Sequence, residues 1–125
     1  MRAIKAMAVL AIMVVSFTAL CLASGLNQYG VADVQKVTFN DPIKVGDMVL
    51  PKGDYKVEHT MQGEEHIMVF TQLHAKSPAT AKAKCQLVKL AATAERTEVL
   101  YNHPDPNTHV LQEIVFRGET AKHVF

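Results

Sequence analysis

The chain has 125 residues, with 13 basic and 12 acidic side chains, a formal net charge of +1 and only two cysteines. Charge this evenly balanced leaves no basic patch of the kind that grips nucleic acid. It is single-domain size, and with Cys21 inside an apolar N-terminal run, Cys85 stands alone and no internal disulfide framework is expected.

Arg2 and Lys5 form a short positive start, followed by a charge-free apolar run from Ala6 to Leu22 and small residues at Ala23, Ser24 and Gly25. That order predicts a secretory signal peptide over 1–23, cut after Ala23, with a cut after Gly25 as the second choice. Retention of residues 6–23 as a membrane anchor is the alternative. Lipidation of Cys21 is disfavoured because bulky Leu20 precedes it. Without Arg2 and Lys5, 11 basic residues face 12 acidic ones, and the densest bases, Lys82, Lys84 and Lys89, read as a solvated face.

Residues 24–33 read as a flexible polar lead-in and 34–125 as one β domain. Val34 to Phe39 alternates, with Val37 and Phe39 on one face, which predicts a half-buried strand. Asn40-Asp41-Pro42 ends it. Gly46-Asp47 fits a two-residue type II′ loop pairing Val45 with Met48 and Ile43 with Leu50. Leu50-Pro51-Lys52-Gly53 reads as a type I turn, with Gly53 in the left-handed region closing a bulged hairpin.

Asp54 to Thr60 and Glu65 to Leu73 are the arms of the next predicted hairpin, turning at Gln62-Gly63. That register pairs positions summing to 125, so Tyr55 faces Phe70, Val57 faces Met68 and His59 faces His66. The stretch 79–94 is ambiguous. Ser77-Pro78 could start a helix carrying Ala83, Leu87, Leu90 and Ala94 on one face, whereas Cys85 to Leu90 also alternates as a strand. Thr97 to Tyr101 is β-rich. Asn102 to Thr108, with Pro104 and Pro106, reads as loop, Val110 to Arg117 as a strand, and Gly118-Glu119 as a turn. Lys122 to Phe125 reads as a last short strand leaving a sheet edge incompletely covered.

These elements predict a small antiparallel β-sandwich or partly open barrel of six to eight strands, with α+β, carrying a helix near 79–94, as the alternative. The expected core is Val37, Phe39, Leu50, Tyr55, Val57, Met68, Phe70, Leu87, Val99, Ile114 and Phe116.

Val37-Thr38-Phe39-Asn40-Asp41-Pro42, Val45-Gly46, Leu50-Pro51-Lys52-Gly53-Asp54-Tyr55 and the ending Leu111 to Glu119 resemble a group of small exported bacterial β-proteins. Their shared feature is a V-G-x-x-x-L-P-x-G-x-Y turn motif near the mature N-terminus. The resemblance implies an all-β fold and export, supports strand over helix at 79–94, and brings no catalytic residues. Residues 75–97 do not match it.

Among chemistry-bearing residues, a cross-strand His59/His66 pair is the sharpest candidate, a metal site for zinc or copper that a carboxylate such as Glu64 or Glu58 could complete, although strand alternation turns Glu58 to the opposite face. His103, His109 and Asp105 around the proline loop form a weaker one, and His74 and His123 add nothing beyond count. Cys85 lacks a recognisable base partner, and Glu64-Glu65 diverge, so an enzyme is disfavoured. The expected function is an exported, non-catalytic binding or structural module of the cell envelope. Its partner is an unidentified protein or envelope component met by edge-strand pairing, with membrane contact only through an uncleaved N-terminal segment. The alternative is a periplasmic metal- or small-ligand-binding protein using the His59/His66 face.

Overall fold

A computed structural model describes residues 26–125, so the predicted signal segment and its cleavage site lie outside the described residues. Nine strands form the domain: β1 (Val34–Phe39), β2 (Ile43–Val45), β3 (Met48–Leu50), β4 (Gly53–Gln62), β5 (Glu65–Gln72), β6 (Thr80–Lys89), β7 (Glu98–Asp105), β8 (Thr108–Val115) and β9 (Ala121–Val124). No helix occurs among the described residues, and the ambiguous stretch 79–94 holds strand over Thr80–Lys89 and irregular chain from Leu90 to Ala94. The sheet runs β1-β4-β5-β6-β9-β8-β2-β3, with β7 on β8. It does not close into a barrel and is sandwich-like. It is also not wholly antiparallel as expected, because β2 meets β8 through a parallel bridge, Lys44 to Val110.

β6 is the hinge of this arrangement. Its first half, Thr80 to Cys85, pairs β5, and its second half, Gln86 to Lys89, pairs β9. One long strand thus belongs to both leaves. Ala81, Ala83 and Cys85 give β6 a low inner surface, and the β2–β3 ribbon lies across it, with Gly46 beside the Lys82 carbonyl. The alanines that resembled a helix are there because another strand pair crosses them.

Between the leaves lies a core of Val37, Phe39, Tyr55, Val57, Met68, Phe70, Ala81 and Cys85 from one side and Ile43, Val45, Leu50, Leu111, Ile114 and Phe116 from the other. Phe39 packs on Tyr55 and Phe70 with ring centroids 5.3 and 6.2 Å apart, in the range favoured by aromatic pairs. Leu87 and Val99 are only half-buried and pack against this core from its margin.

The β2–β3 loop forms as expected, with Val45 opposite Met48 and Ile43 opposite Leu50. Gly46 takes φ 58 at its first position, the conformation a type II′ loop demands. The next turn differs. β3 and β4 do not pair with each other, so Pro51-Lys52 is a corner between the leaves and not a hairpin. Gly53 has φ 142, positive but far from the left-handed value of about 57°. Tyr55 fixes this corner, its hydroxyl donating to the Pro51 carbonyl at 2.6 Å.

The β4–β5 register also differs. Tyr55 faces Gln72, Val57 faces Phe70, His59 faces Met68 and Met61 faces His66. The loop residues are Gly63 and Glu64, so the pairing is displaced by two positions from the expected one. A two-residue slip keeps every side chain on its face, so the hydrophobic pattern alone does not distinguish the two registers.

Three further expectations are corrected. Pro104 lies inside β7, and the chain turns at Pro106-Asn107 with Asp105 opposite Thr108. β7 pairs only β8, so a residue without an amide hydrogen is tolerated at its open side, and two register shifts absorb the misfit. β9 lies between β6 and β8, so Lys122 to Phe125 is not at a sheet edge. The lead-in is seated in the fold: Val31 is fully buried, and the Thr120 amide donates to the Gly30 carbonyl.

Candidate functional site

The inward face of the β4–β5 hairpin continues past the apolar core to its turn end, and there the residue types change. His59 follows Tyr55 and Val57 on the same face, and His66 precedes Met68 and Phe70. Although not directly opposed, His59 and His66 meet on the diagonal, with Nε2 of His59 2.9 Å from Nδ1 of His66. One ring donates and the other accepts. His59 is 7% exposed. Burial, then the neighbouring His66 and His123, hold its imidazole below the ordinary value of 6.5, against the opposing pull of Asp33 and Glu119. Tyr29, from the lead-in, sets its ring edge-on to His66 at 4.7 Å.

A second group lies behind the first. Nε2 of His123 is 2.9 Å from Oε1 of Glu119, and Nδ1 is 3.9 Å from Sγ of Cys85. Glu119 Oε2 accepts from the Ala32 amide at 2.8 Å and from Gln35 Nε2 at 3.0 Å. His123 and His59 stand 6.1 Å apart between ring centroids. The six side chains of Tyr29, His59, His66, Cys85, Glu119 and His123 thus form a polar core at one end of the sandwich. Among the described residues, no buried side-chain nitrogen or oxygen lacks a partner.

Cys85, His123 and Glu119 stand in the order nucleophile, base and orienting carboxylate. Their surroundings oppose that use. They are 7%, 1% and 0% exposed, and burial pushes the thiol up to about 11. A thiol held so high is protonated at neutral pH and is a poor nucleophile. Within the fold, Glu119 ties the lead-in and the β8–β9 turn to the body of the sheet.

The sequence-predicted metal sets are not assembled as expected. Glu58 forms an ion pair with Lys56 at 3.1 Å on the outer face, and Glu64 is an exposed loop residue. Neither joins the two histidines. Among the described residues, no three His, Cys, Asp or Glu side chains converge as a metal-binding group. His103 and His109 do pack edge-to-face at 4.4 Å. Asp105, however, is occupied in its own turn, accepting from the Asn107 amide and the Thr108 hydroxyl at 2.9 Å each.

His123, Glu119 and Tyr29 were not recognised from sequence. The only local signal is the four-residue spacing of Glu119 and His123 across a turn, and their partners are remote in the chain.

Two clefts flank His66. One, of about 780 Å³, opens where β5 begins and β9 ends, lined by Glu65, His66, Cys85, Leu87 and Phe125. The other, of about 660 Å³, lies under Tyr29 and Gly30, beside His66 and Leu87. His66 is therefore reachable from both sides, and Met61, opposite it, is 39% exposed. No protein-family model, curated protein or solved structure matches the chain.

Proposed function

We propose that the chain is an exported, non-catalytic module of the cell envelope that takes a protein partner by adding a strand to an open sheet edge. The observation that carries this reading is the far side of β1. All six residues of β1 pair regularly with β4, without bulge or proline, and nothing pairs their other side among the described residues. The remaining edges are blunted: β3 is three residues long, and β7 carries Pro104 and two register shifts. A cleft of about 440 Å³ adjoins β1, lined by Lys36 to Thr38 together with Asp54, His74 and Thr97.

Export rests on the N-terminal order of charge, apolar run and small residues, together with the resemblance to exported β-proteins. The non-catalytic reading is supported by the burial of Cys85, His123 and Glu119. Capture from an envelope fraction tests the edge. Val34 is 54% exposed on β1, so Val34→Lys leaves the core untouched while placing a charge where a strand would dock. Loss of the captured partner is expected, and capture at the wild-type level would rule the edge out. Iodoacetamide tests the second half of the reading: Cys85 should stay unmodified at neutral pH until the protein unfolds, and rapid alkylation would restore the enzyme hypothesis.

A second reading, ligand binding at the His59/His66 face, is favoured by the 2.9 Å approach of the two imidazole nitrogens beside two clefts.

A further inference from the structure

The two arms of the β4–β5 hairpin carry the same His-x-Met pattern, His59-Thr60-Met61 and His66-Ile67-Met68. The observed register places these triplets against each other in opposite directions, His59 opposite Met68 and Met61 opposite His66. Alternation along each strand puts all four on the inward face. The imidazoles occupy one diagonal of this rectangle and already touch, and the thioether-bearing residues occupy the other. Directly opposed residues stand about 5 Å apart at Cβ, so four donors lie within reach of one point.

We infer that this hairpin end is a binding site for a soft monovalent metal ion, copper(I), held by His59 and His66 with Met61 as thioether ligand and Met68 beneath it. This rests on the ligand-binding reading and names its ion and donors. Thioether and imidazole together select copper(I) over harder ions, whereas zinc favours nitrogen, thiolate and carboxylate sets. Such a set is missing here: no third His, Cys, Asp or Glu converges among the described residues. Metal–imidazole bonds are about 2 Å long, so two imidazoles on one ion stand roughly 3–4 Å apart. The 2.9 Å separation of Nε2 and Nδ1 needs only a small opening to admit the ion. A tautomer change in the donating ring then presents both lone pairs.

Asp33 and Glu119 pull toward positive charge at His59, against burial and the neighbouring His66 and His123, and Tyr29 covers the rings from the lead-in side. Half-exposed Met61 and the clefts beside His66 give the ion a route from solvent.

The test is an anaerobic titration of the purified chain with copper(I) against bicinchoninate, repeated with zinc(II). One equivalent of copper held against the chelator, with zinc failing to displace it, is expected. Met61→Leu, at a position that is 39% exposed and so folding-neutral by circular dichroism, should weaken copper binding about tenfold or more. His66→Gln should weaken it further, and Cys85→Ser should leave it unchanged. Copper-edge X-ray absorption of the Cys85→Ser protein should still report sulfur as well as nitrogen neighbours. If zinc displaces copper and Met61→Leu changes nothing while His66→Gln abolishes binding, the thioether site is overturned and the ligand-binding reading stands. If neither metal binds, both fall. Loss of copper in Cys85→Ser alone would move the site to the thiol and overturn the inference.

Discussion

Glu119 and His123 form a fully buried pair, Oε1 to Nε2 at 2.9 Å, and the other oxygen of the same carboxylate holds the lead-in through Ala32 and Gln35. A turn residue thus joins the start of the described chain to its end through its side chain, beside the Thr120 hydroxyl, which donates to the Gly30 carbonyl at 3.2 Å. Buried polar groups of this kind are costly to break because the partners left behind lose both protein and water.

Glu119→Ala leaves the His123 ring, the Ala32 amide and the Gln35 amide group without their acceptor. The expected loss is about 3 kcal/mol or more, because each buried donor left without an acceptor costs about 1–3 kcal/mol. Denaturant unfolding measures it. Amide exchange at Ala32 should accelerate more than exchange in the β4–β5 ladder, and an unchanged Ala32 rate would show that the lead-in is held by other means.

Tyr55 tests the corner. Its ring is fully buried and its hydroxyl reaches the Pro51 carbonyl at 2.6 Å. Tyr55→Phe keeps the packing with Phe39 and removes only that bond, so a loss of about 1–2 kcal/mol is expected. A melting temperature within error of wild type would mean that Pro51-Lys52 is held by proline and glycine geometry alone.

Much of this fold is legible in the sequence because it is written in period two. The β1 bounds, the Gly46-Asp47 loop and most of the core follow from alternation and turn chemistry, and are found as expected. What alternation does not encode is distance along a strand. The β4–β5 register slips by two without moving a side chain to the wrong face, so Tyr55 with Phe70 looked as sound as Val57 with Phe70. Strand order is also non-local: nothing in Lys122 to Phe125 says that β6 and β8 flank it. The same limit hid the site. His59 and His66 are close in sequence and were found, whereas Glu119 meets Ala32 and Gln35 across more than eighty residues.

Engineered disulfides distinguish the two β4–β5 registers. Met61 and His66 are directly opposed, while His59 and His66 are diagonal. Met61→Cys with His66→Cys should crosslink readily under mild oxidation, since direct pairs approach the Cβ separation of about 4 Å that a disulfide needs. His59→Cys with His66→Cys should crosslink poorly. The reverse order of yields would restore the register in which paired positions sum to 125.

Two glycines in similar loops separate conformational strain from collision. Gly46 and Gly63 have φ 58 and 64, so alanine at either is strained by about 1–2 kcal/mol. At Gly63 a new Cβ meets nothing within 4 Å, whereas at Gly46 it comes 2.9 Å from the Lys82 carbonyl oxygen. Gly46→Ala should therefore destabilise clearly more than Gly63→Ala in paired thermal melts. Equal losses would mean that the β2–β3 ribbon does not rest on β6.

The last expectation concerns acid. His59 is held below its ordinary 6.5 chiefly by burial, with His66 and His123 adding repulsion and Asp33 and Glu119 opposing it. The unfolded chain therefore takes up this proton at a higher pH than the folded one. Stability contributed by neutral His59 is complete above about pH 6.5, falls as pH drops through the interval down to the folded value, and then levels off. Chemical denaturation between pH 7.5 and 5 should show a declining midpoint. His59→Gln removes that titration, so its own midpoint should fall less over the same range, whatever its absolute stability. A variant whose midpoint falls as steeply as that of the wild type would assign the acid sensitivity to another group and remove His59 from the account.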